Sequence, residues 1–528
     1  MTTHTTAKTS LSQRFLWCLA CYFFLHIILR ICLSDSLDYD EAEQVVLAQW
    51  LLPGYTDQPP LYTWIQYGLF HLFGTTVFSV SLLKNSLLFL AYASFYGGAL
   101  AALKDTRAAI LATISLLLIP QIGWESQRDM SHSVLVIFAA SATLWQTMRC
   151  VKKQTLFNYC LLGISVAVGI LAKANYLLFL ITIAGGLSTL PDGRKILFSK
   201  KMALAICTAL MLSGTYLLWI FQHQHILFSA TGKFHSSYGV YPWDSIRSLT
   251  VNSILFLTPL WIFYLFIFPR GFKTSHTGKK TFANQLLRNY LLLLITLLFT
   301  IVLSLKITYV KDRWLQPLLF VVPIFFFSRL DPHSINPRQF KIFLTIVAVT
   351  ATVIFSALII RVVGGPYTHN FCRLNFPFSA MAEDIGRSGF NRGLIISNNR
   401  FIAGNMHHQF PDTMALIPGY GFEKMVKDRA YTKAAVMWDM YYGPAVPKEL
   451  ADYLSDTFHI RVSDYPVTYY KHRYKYARTT TVTLGVMQFP INALLRKSYN
   501  KKQGIYSALP VISGVNSIKK NYKLTPTP

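Results

Sequence analysis

Long apolar runs alternate with short polar segments through the first 360 residues of this chain. A helix needs about 20 apolar residues to cross a bilayer core, so the pattern predicts roughly eleven transmembrane helices, several of them shorter than usual. We therefore expect an α-helical polytopic membrane protein. The runs lie near 15–33, 77–102, 108–122, 132–150, 157–172, 174–190, 202–221, 250–268, 289–308, 315–329 and 341–360.

The pattern changes after residue 361, where apolar stretches become short and mixed with polar residues. "RGLIISNN" (392–399) and "TTTVTLGVMQF" (479–489) are typical of buried strands. "SAMAEDIGRSG" (379–389) predicts a helix that ends at a glycine. These signals predict two domains, a transmembrane domain over 1–360 and a C-terminal soluble α/β domain over 361–528.

Basic residues recur in alternate loops, namely 104–107, 149–153, 192–201, 269–280 and 329–341. Cytoplasmic loops of membrane proteins carry an excess of Lys and Arg, so this side, which also holds the N-terminus, is expected to be cytoplasmic. The C-terminal domain is then expected on the outer, periplasmic side. The first run has no small-x-small cleavage site after it, which favours an uncleaved anchor.

Composition supports a membrane protein and argues against a nucleic-acid partner. The chain is 53% hydrophobic and 14% charged, with a mean hydropathy of +0.37, whereas soluble domains carry about 25% charged residues. Its net charge is +27, but the basic residues are spread between apolar runs and form no single stripe. That distribution fits cytoplasmic loops and anionic membrane lipids as partners.

An acidic cluster follows the first apolar run, in "SDSLDYDEAEQVVLAQW" (34–50). Five of the 23 acidic residues lie within nine positions: Asp35, Asp38, Asp40, Glu41 and Glu43. The apolar residues after them predict a helix along the membrane interface, with carboxylates at its N-terminal end. Helix capping by Asp38 or Asp40 accounts for one or two acids. Acids beside a membrane are costly, which favours a functional role for at least one of Asp38, Asp40 and Glu41.

Basic side chains on the expected outer side are candidates for binding phosphate. Lys311 and Arg313 lie in a very short loop between apolar runs, and Lys84 and Lys173 are embedded within apolar surroundings. Arg offers a planar fork for phosphate and Lys a point charge. The alternative is that these side chains extend to lipid headgroups. Arg128 and Asp129 are adjacent, so they either act on a ligand or pair with each other.

Four motifs together resemble a known superfamily: "DEAEQ" (40–44), "YTDQPPLYTW" (55–64), "ESQRDMSH" (125–132) and "YVKDRWLQPLLFVVPIF" (309–325). They resemble the polytopic glycosyltransferases related to protein mannosyltransferases and lipid A aminoarabinose transferases. The variants are most similar to the branch that adds galacturonic acid to lipopolysaccharide. The resemblance covers about 1–330, whereas the C-terminal domain matches in placement more than in motif.

The resemblance implies a C-type glycosyltransferase fold with interfacial helices over a cavity. It also implies inverting transfer of a galacturonic acid or aminoarabinose type sugar from a polyprenyl-phosphate donor. The expected acceptor is lipid A or lipopolysaccharide core, at the periplasmic face of a bacterial inner membrane.

The resemblance also implies roles for individual residues. Asp40 matches the catalytic acid and Asp129 the second acid, with Glu41 adjacent. Gln58 replaces the lysine of the aminoarabinose transferases. Further expected contacts to donor or acceptor are Asp38, Asp57, Gln58, Tyr62, Arg128, Lys233 and His235.

No cofactor is required by the sequence. His223, His225 and His235 lack a recognised metal spacing, although a divalent ion between Asp40 and the donor phosphate is left open. Phosphate-binding glycine loops and GxSxG are absent, which argues against a soluble nucleotide-sugar mechanism and favours a membrane-embedded donor.

Two alternatives stay open at this point. A protein O-mannosyltransferase belongs to the same class of enzyme. A transporter or flippase of lipid-linked sugars predicts charges within helices and repeated halves. Here the charges concentrate in outer loops and no internal repeat stands out, which favours an enzyme.

Overall fold

A computed structural model describes residues 2–55, 58–224, 226, 242–271, 281–331, 335–426, 431–440 and 443–491. The chain folds into two compact units that interleave in sequence. The membrane-helix unit comprises Met1–Ile27, Leu52–Tyr62 and Leu82–Ser356. The sheet unit comprises Ile28–Leu51, Thr63–Ser81 and Ala357–Pro528. The predicted C-terminal domain thus shares a compact unit with two segments from the first hundred residues.

Helices dominate the described chain, which confirms the expected fold class. In chain order they are α1 (Thr2–Leu33), α2 (Tyr39–Leu47), α3 (Leu61–Phe73), α4 (Val77–Leu103), α5 (Thr106–Ile114), α6 (Pro120–Gly123), α7 (Glu125–Asp129), α8 (His132–Lys152), α9 (Leu156–Ile170), α10 (Tyr176–Ser188), α11 (Pro191–Leu197), α12 (Met202–Gln222), α13 (Pro242–Phe256), α14 (Leu260–Ile267), α15 (Phe282–Ser304), α16 (Asp312–Leu319), α17 (Val322–Phe327), α18 (Pro337–Ile359), α19 (Phe378–Arg387), α20 (Arg400–Gln409) and α21 (Lys448–Phe458).

Among the described residues, six helices are long and apolar enough to cross a membrane, or eight if two bent pairs each count as one span. The six are Ser10–Leu33, Val77–Leu103, His132–Lys152, Met202–Gln222, Phe282–Ser304 and Pro337–Thr368. Two shorter apolar helices, α9 and α10, match the predicted runs at 157–172 and 174–190. The hydropathy pattern therefore locates the apolar segments, while length divides them into full and partial spans.

Prolines explain where predicted runs break. The run at 108–122 bends by 81° between Thr106–Leu118 and Pro120–Asp129, and the run at 250–268 bends by 59° at the break that holds Pro259. The run at 315–329 divides into α16 and α17, with Pro317 inside the first helix and Pro323 in the first turn of the second. Proline lacks the N–H that a helix interior needs, so an apolar run containing one does not form a straight span.

The sheet unit contains a five-stranded mixed sheet with the order β2-β1-β3-β5-β4. Strands β1 (Gly393–Ile396), β2 (Thr413–Leu416) and β3 (Lys433–Asp439) are parallel, with Leu394 opposite Ala434. Strands β4 (Val467–Arg473) and β5 (Thr481–Pro490) add an antiparallel edge. The two predicted strands and the predicted helix correspond to β1, β5 and α19.

Helix α2 is part of the core of the sheet unit. Its residues Ala42 and Val45 lie in one buried cluster with Met406 of α20 and with Ile395 and Met437 of the sheet. Gly404 of α20 makes this contact possible, because a Cβ at that position would overlap the backbone carbonyl of Ala42. The helix that follows the acidic cluster is therefore packed against the C-terminal segment of the chain.

Candidate active site

Helix α2 begins at a complete capping box. Asp38 is the N-cap and its carboxylate accepts a hydrogen bond from the Tyr39 amide at 2.8 Å. The Glu41 carboxylate accepts from the Asp38 amide at 3.0 Å. Such a box satisfies two backbone donors that a helix start otherwise leaves unpaired. The structure thus confirms the prediction that Asp38 caps this helix, and Glu41 completes the capping box.

The two acids of the capping box are also neutralised by arginines. Asp38, 1% exposed, contacts Arg373 at 3.0 Å and Arg361 at 3.5 Å. Glu41, 5% exposed, contacts Arg30 at 2.6 Å, and a second bond from the Arg30 Nε to the other oxygen is 3.3 Å long. A buried carboxylate is tolerated when it is paired and hydrogen-bonded. The structure therefore gives Asp38 and Glu41 clear roles in folding.

Glu43 and Asp35 have basic partners from the C-terminal segment. Glu43 pairs with Arg400, and Asp35 pairs with Lys475. The Arg400 guanidinium lies 4.4 Å from the centre of the Tyr39 ring. Burial lowers the pKa of Arg400, but the Glu43 carboxylate outweighs it and leaves the pKa above its usual value. Arg400 is thus a permanent cation that fixes the acidic helix against α20.

Hydrogen bonds hold the segment ahead of α2 as well. The hydroxyls of Ser34 and Ser36 donate to the carbonyls of Leu374 and Phe376, both at 2.7 Å. Asn405 accepts from the Leu37 amide at 2.7 Å. Asp40 lies half-buried in the first turn of the helix fixed in this way. A carboxylate at a helix N-terminus is favoured by the helix dipole, and the contacts described above fix the helix that carries Asp40.

In the membrane-helix unit, the second acidic loop follows the 81° bend. Asp129 ends the short helix α7 and is half-buried. Arg128 pairs with Glu125, at 2.5 Å. Gln127 donates to Asn85 at 3.0 Å, and the neighbouring Lys84 is 4% exposed. The loop thus lies beside the buried lysine of α4.

Helix α16 binds the same loop from another direction. Its N-cap residue Lys311 lies 5.9 Å from the Trp314 ring, while Arg313 is exposed. Gln121 donates to the Asp312 carboxylate at 3.0 Å. The Gln316 amide donates to the backbone carbonyl of Gln121 at 2.5 Å. The motif "KDRWLQP" is therefore attached to the start of the acidic loop.

Two further candidates lie at the other end of this loop. The Lys173 ammonium donates to the Ser133 hydroxyl at 2.7 Å. The Tyr62 ring, 2% exposed, lies 5.4 Å from the His132 ring. Lys173 and Tyr62 thus contact the segment 121–133, and the residues next to Lys84 and Lys311 in the sequence contact it as well. This grouping supports the interpretation of the segment as part of a polar site.

Sequence reasoning missed three amide side chains here: Gln121, Gln316 and Asn175. Each presents a buried carbonyl oxygen without a hydrogen-bond partner among the residues that the structure describes. Asn175 also donates to the Trp314 carbonyl at 3.1 Å. Buried polar atoms are normally satisfied, so these acceptors suit a ligand rich in hydroxyl groups. Gln316 lies inside the motif at 309–325, and that was the available signal.

Three predicted contacts, Asp57, Lys233 and His235, lie outside the described residues, and so does His225. Gln58 is half-buried just before α3. His223 stacks on Trp219, with ring centres 4.6 Å apart. Within the described part of the chain, no group of three His, Cys, Asp or Glu residues is arranged to hold a metal ion.

Comparisons with known proteins agree with these motifs. Residues 57–219 match the family described as dolichyl-phosphate-mannose-protein mannosyltransferase. The lipopolysaccharide core galacturonosyltransferase RgtB of Rhizobium johnstonii is 30% identical over 447 residues, covering 83% of this chain and 89% of the relative. RgtA of the same organism is 31% identical over 412 residues, covering 76% and 81%.

Solved structures show the same fold. The crystal structure of ArnT from Cupriavidus metallidurans bound to undecaprenyl phosphate has a TM-score of 0.54 at 11% identity, covering 92% of this chain and 99% of that one. The apo state of that protein gives a TM-score of 0.55 at 12% identity, covering 93% and 99%.

These matches confirm the resemblance stated from the motifs, and the apolar helices make the chain a multi-pass membrane protein. The chain belongs to the family of membrane glycosyltransferases that includes the lipopolysaccharide core galacturonosyltransferases, and it is itself a glycosyltransferase.

Proposed function

We propose that this enzyme transfers a galacturonic acid type sugar from a polyprenyl-phosphate donor to the lipopolysaccharide core, with inversion at the anomeric carbon. The reaction takes place at the periplasmic face of the bacterial inner membrane, with the N-terminus in the cytoplasm. The core galacturonosyltransferases at about 30% identity support the sugar and the acceptor. The bound undecaprenyl phosphate of the ArnT structure, which has the same fold, supports the class of donor.

In this proposal Asp40 is the general base. A hydroxyl group of a core sugar is a weak nucleophile at neutral pH, because its proton is lost only at high pH. The Asp40 carboxylate accepts that proton while the oxygen attacks the anomeric carbon. The bond from that carbon to the phosphate oxygen breaks on the opposite side, and polyprenyl phosphate leaves with the electron pair. Asp129, the second acid of the resemblance, orients the reacting sugar.

The donor phosphate gains negative charge as this bond breaks, so cations that face it stabilise the transition state. Lys84, Lys173, Lys311 and Arg313 are the proposed cations. Lys84 is buried and Lys173 is half-buried, and both lie in the apolar helical region near the segment 121–133. The buried carbonyl oxygens of Gln121, Gln316 and Asn175 accept hydrogen bonds from sugar hydroxyls.

One observation supports Asp40 as a base that is held in a fixed position. Asp35, Asp38, Glu41 and Glu43 each pair with a basic residue of the sheet unit. Together these pairs fix α2, the helix whose first turn carries Asp40. A general base must be held in one geometry relative to the proton it accepts, and this segment provides that rigidity.

Transfer in isolated membranes tests the proposal. Membranes that contain the full chain receive polyprenyl-phosphate galacturonate and lipopolysaccharide, and products are read by mass. Wild type is compared with Asp40→Asn and with a control, Asp192→Asn, which removes a surface acid that is 62% exposed. We expect a loss of about 10²- to 10⁴-fold for Asp40→Asn at unchanged protein abundance, and no loss for the control.

Other outcomes reject defined parts of the proposal. Retained transfer in Asp40→Asn would exclude Asp40 as the base. Sugar found on protein instead of lipopolysaccharide would indicate a protein O-glycosyltransferase. Absence of transfer with every donor, together with movement of the lipid-linked sugar across the membrane, would indicate a transporter.

A further inference from the structure

The last stretch of the chain is strongly basic. After Asp464 the sequence contains eleven Lys or Arg residues and no Asp or Glu up to its last residue. The described part of this stretch is the antiparallel pair β4–β5 with the turn between them, residues 465–490, here called the basic hairpin. Five tyrosines also lie in it, at 465, 469, 470, 474 and 476.

The two faces of β4 differ because side chains alternate along a strand. On one face Tyr470 donates to the Ser388 hydroxyl at 3.0 Å and His472 contacts the Asp384 carboxylate at 2.8 Å, so this face is attached to the end of α19. On the other face Tyr469, Lys471 and Arg473 are exposed. We call this the outer face of the hairpin.

Strand β5 completes the outer face with small and hydroxyl-bearing residues. In the register of the two strands, Gly485 lies opposite Tyr469, Thr483 opposite Lys471 and Thr481 opposite Arg473. No bulky side chain therefore stands across from the two cations. The outer face combines an aromatic ring, two cationic groups and two hydroxyls on one side of the strand pair.

The two cations of the outer face differ from the basic residues that bind the acidic segment. Arg361, Arg373, Arg400 and Lys475 each pair with a carboxylate of the acidic segment. Lys471 and Arg473, by contrast, make no ion pair with any residue in the described ranges. Two neighbouring cations on one strand face without a counter-charge create a local positive potential that attracts anions.

The turn of the hairpin lies where two apolar helices end. The Tyr476 hydroxyl donates to the carbonyl of Leu33, the last residue of the first candidate span, at 3.0 Å. The Arg478 guanidinium lies 5.6 Å from the ring of Tyr367, near the end of the last candidate span. The turn of the hairpin is therefore attached to the ends of two apolar helices, where a lipid-anchored headgroup is expected.

We propose that the outer face of the basic hairpin binds the anionic saccharide headgroup of the acceptor glycolipid. Tyr469 provides an apolar face for a sugar ring, Arg473 a planar fork for a phosphate or carboxylate, and Lys471 a point charge for a second anionic group. Thr481 and Thr483 exchange hydrogen bonds with sugar hydroxyls. This inference deepens the proposed function, and it rests on that function only for identifying the saccharide as the acceptor.

A saccharide headgroup fits this face better than a bilayer of simple anionic lipids does. Bulk anionic lipid is attracted by charge alone, at about 1 kcal/mol per basic residue near the surface, and gives no role to a tyrosine and two threonines in register with the cations. A phosphorylated sugar uses all of these groups at once. The proposed ligand is therefore the phosphate- or carboxylate-bearing sugar.

Binding of deacylated lipopolysaccharide to the full-length protein tests this inference. The protein is placed in phosphatidylcholine nanodiscs, and no sugar donor is present. The test variant is Lys471→Gln with Arg473→Gln. The matched control is Lys448→Gln with Arg461→Gln, which removes two exposed cations from α21 and from the segment ahead of β4. Both variants change the net charge by the same amount.

We expect at least about tenfold weaker binding for the test variant, which corresponds to about 1.4 kcal/mol for two lost charge contacts, and less than about twofold for the control. In transfer assays the KM for lipopolysaccharide should rise at unchanged kcat. Tyr469→Ala should weaken saccharide binding without changing the charge. An equal loss in both charge variants would overturn the inference, and so would unchanged binding in the test variant.

A third arm replaces phosphatidylcholine by phosphatidylglycerol. If the test variant loses association with phosphatidylglycerol but binds the saccharide as wild type does, the face binds bulk lipid and the inference is wrong. Because binding is measured without donor, it is independent of catalysis. If the protein binds the saccharide but transfers no sugar, the proposed function is contradicted and the inferred binding face is supported.

Discussion

Replacement of Asp38 tests whether the acids around Asp40 act through folding. Asp38 caps α2 and pairs with Arg373 and Arg361 while being 1% exposed. Asp38→Ala removes both the cap and the ion pairs. Asp38→Asn keeps a good capping residue and removes only the charge, so the difference between the two variants isolates the cap.

The expected magnitudes follow from the contacts. An N-cap is worth about 1 kcal/mol. Charge-assisted hydrogen bonds are worth about 1.5–3 kcal/mol when buried, but Arg373 is 26% exposed and Arg361 lies at 3.5 Å. Solvent screening therefore reduces the pair to about 2 kcal/mol. We expect Asp38→Asn to cost about 2 and Asp38→Ala about 3 kcal/mol of unfolding free energy, the sum of these two estimates.

Thermal unfolding of the full-length protein in detergent measures these costs. For a domain of about 150–250 residues, 1 kcal/mol shifts Tm by about 2–4 °C, so Asp38→Ala should lower Tm by about 6–12 °C. The control is Glu383→Ala, which breaks an ion pair whose partners are 65% and 69% exposed and should change little. If Asp38→Ala lowers Tm no more than this control does, the capping and ion-pair argument is refuted.

Two further predictions concern the same unit. Gly404→Ala should destabilise the protein by about 1–3 kcal/mol, because its Cβ would overlap the Ala42 carbonyl. The control is Gly214→Ala, where a Cβ meets no atom within 4 Å. Equal Tm values for the two variants would contradict the packing argument. Burial lowers the pKa of His407 to about 4, whereas the unfolded chain has an ordinary histidine pKa of about 6.5. The unfolded chain therefore binds a proton more readily than the folded one does. The free energy of unfolding should fall by about 3 kcal/mol as the pH drops from about 6.5 to about 4. His407→Gln should flatten this dependence in unfolding measured at pH 7 and pH 4.5, and an unchanged slope would show that other groups cause it.

The apolar elements of this fold could be predicted from the sequence because each has a local signal. The strand over 393–396 is a continuous apolar run, and β5 alternates before it enters the core. The helix over 378–387 ends close to Gly389, whose φ of +92° favours glycine. Such local patterns predict the correct element because the folded chain buries these apolar residues in the same helix or strand that the pattern indicates.

The strand β3 had no such clear signal. Its core sequence, Ala434 to Trp438, mixes alanine and methionine with valine and tryptophan, residues that suit a helix as well as a strand. Its position in the centre of the sheet depends on pairing with β1 and β5. Such pairing is a tertiary property, so no short window of the sequence contains it.

The partners of the acidic cluster could not be predicted for the same reason. Asp38 and Arg373 are separated by 335 positions, and Glu43 and Arg400 by 357. The sequence contains the charges, but without an alignment it does not indicate which basic residue faces which acid. The acids therefore suggested a reaction, whereas most of them have an explanation in the stability of the fold.

This distinction changes how a catalytic acid should be recognised in such a cluster. A carboxylate that caps a helix or neutralises a buried arginine is needed for folding, so its replacement lowers activity and stability together. A general base in the first turn of the same helix can be replaced by Asn at similar size and hydrogen-bonding capacity. Its loss then lowers kcat while Tm is retained. We therefore expect Asp40→Asn to separate activity from stability, and Asp38→Ala to lower both. The comparison of these two variants, rather than the density of acids, identifies the base.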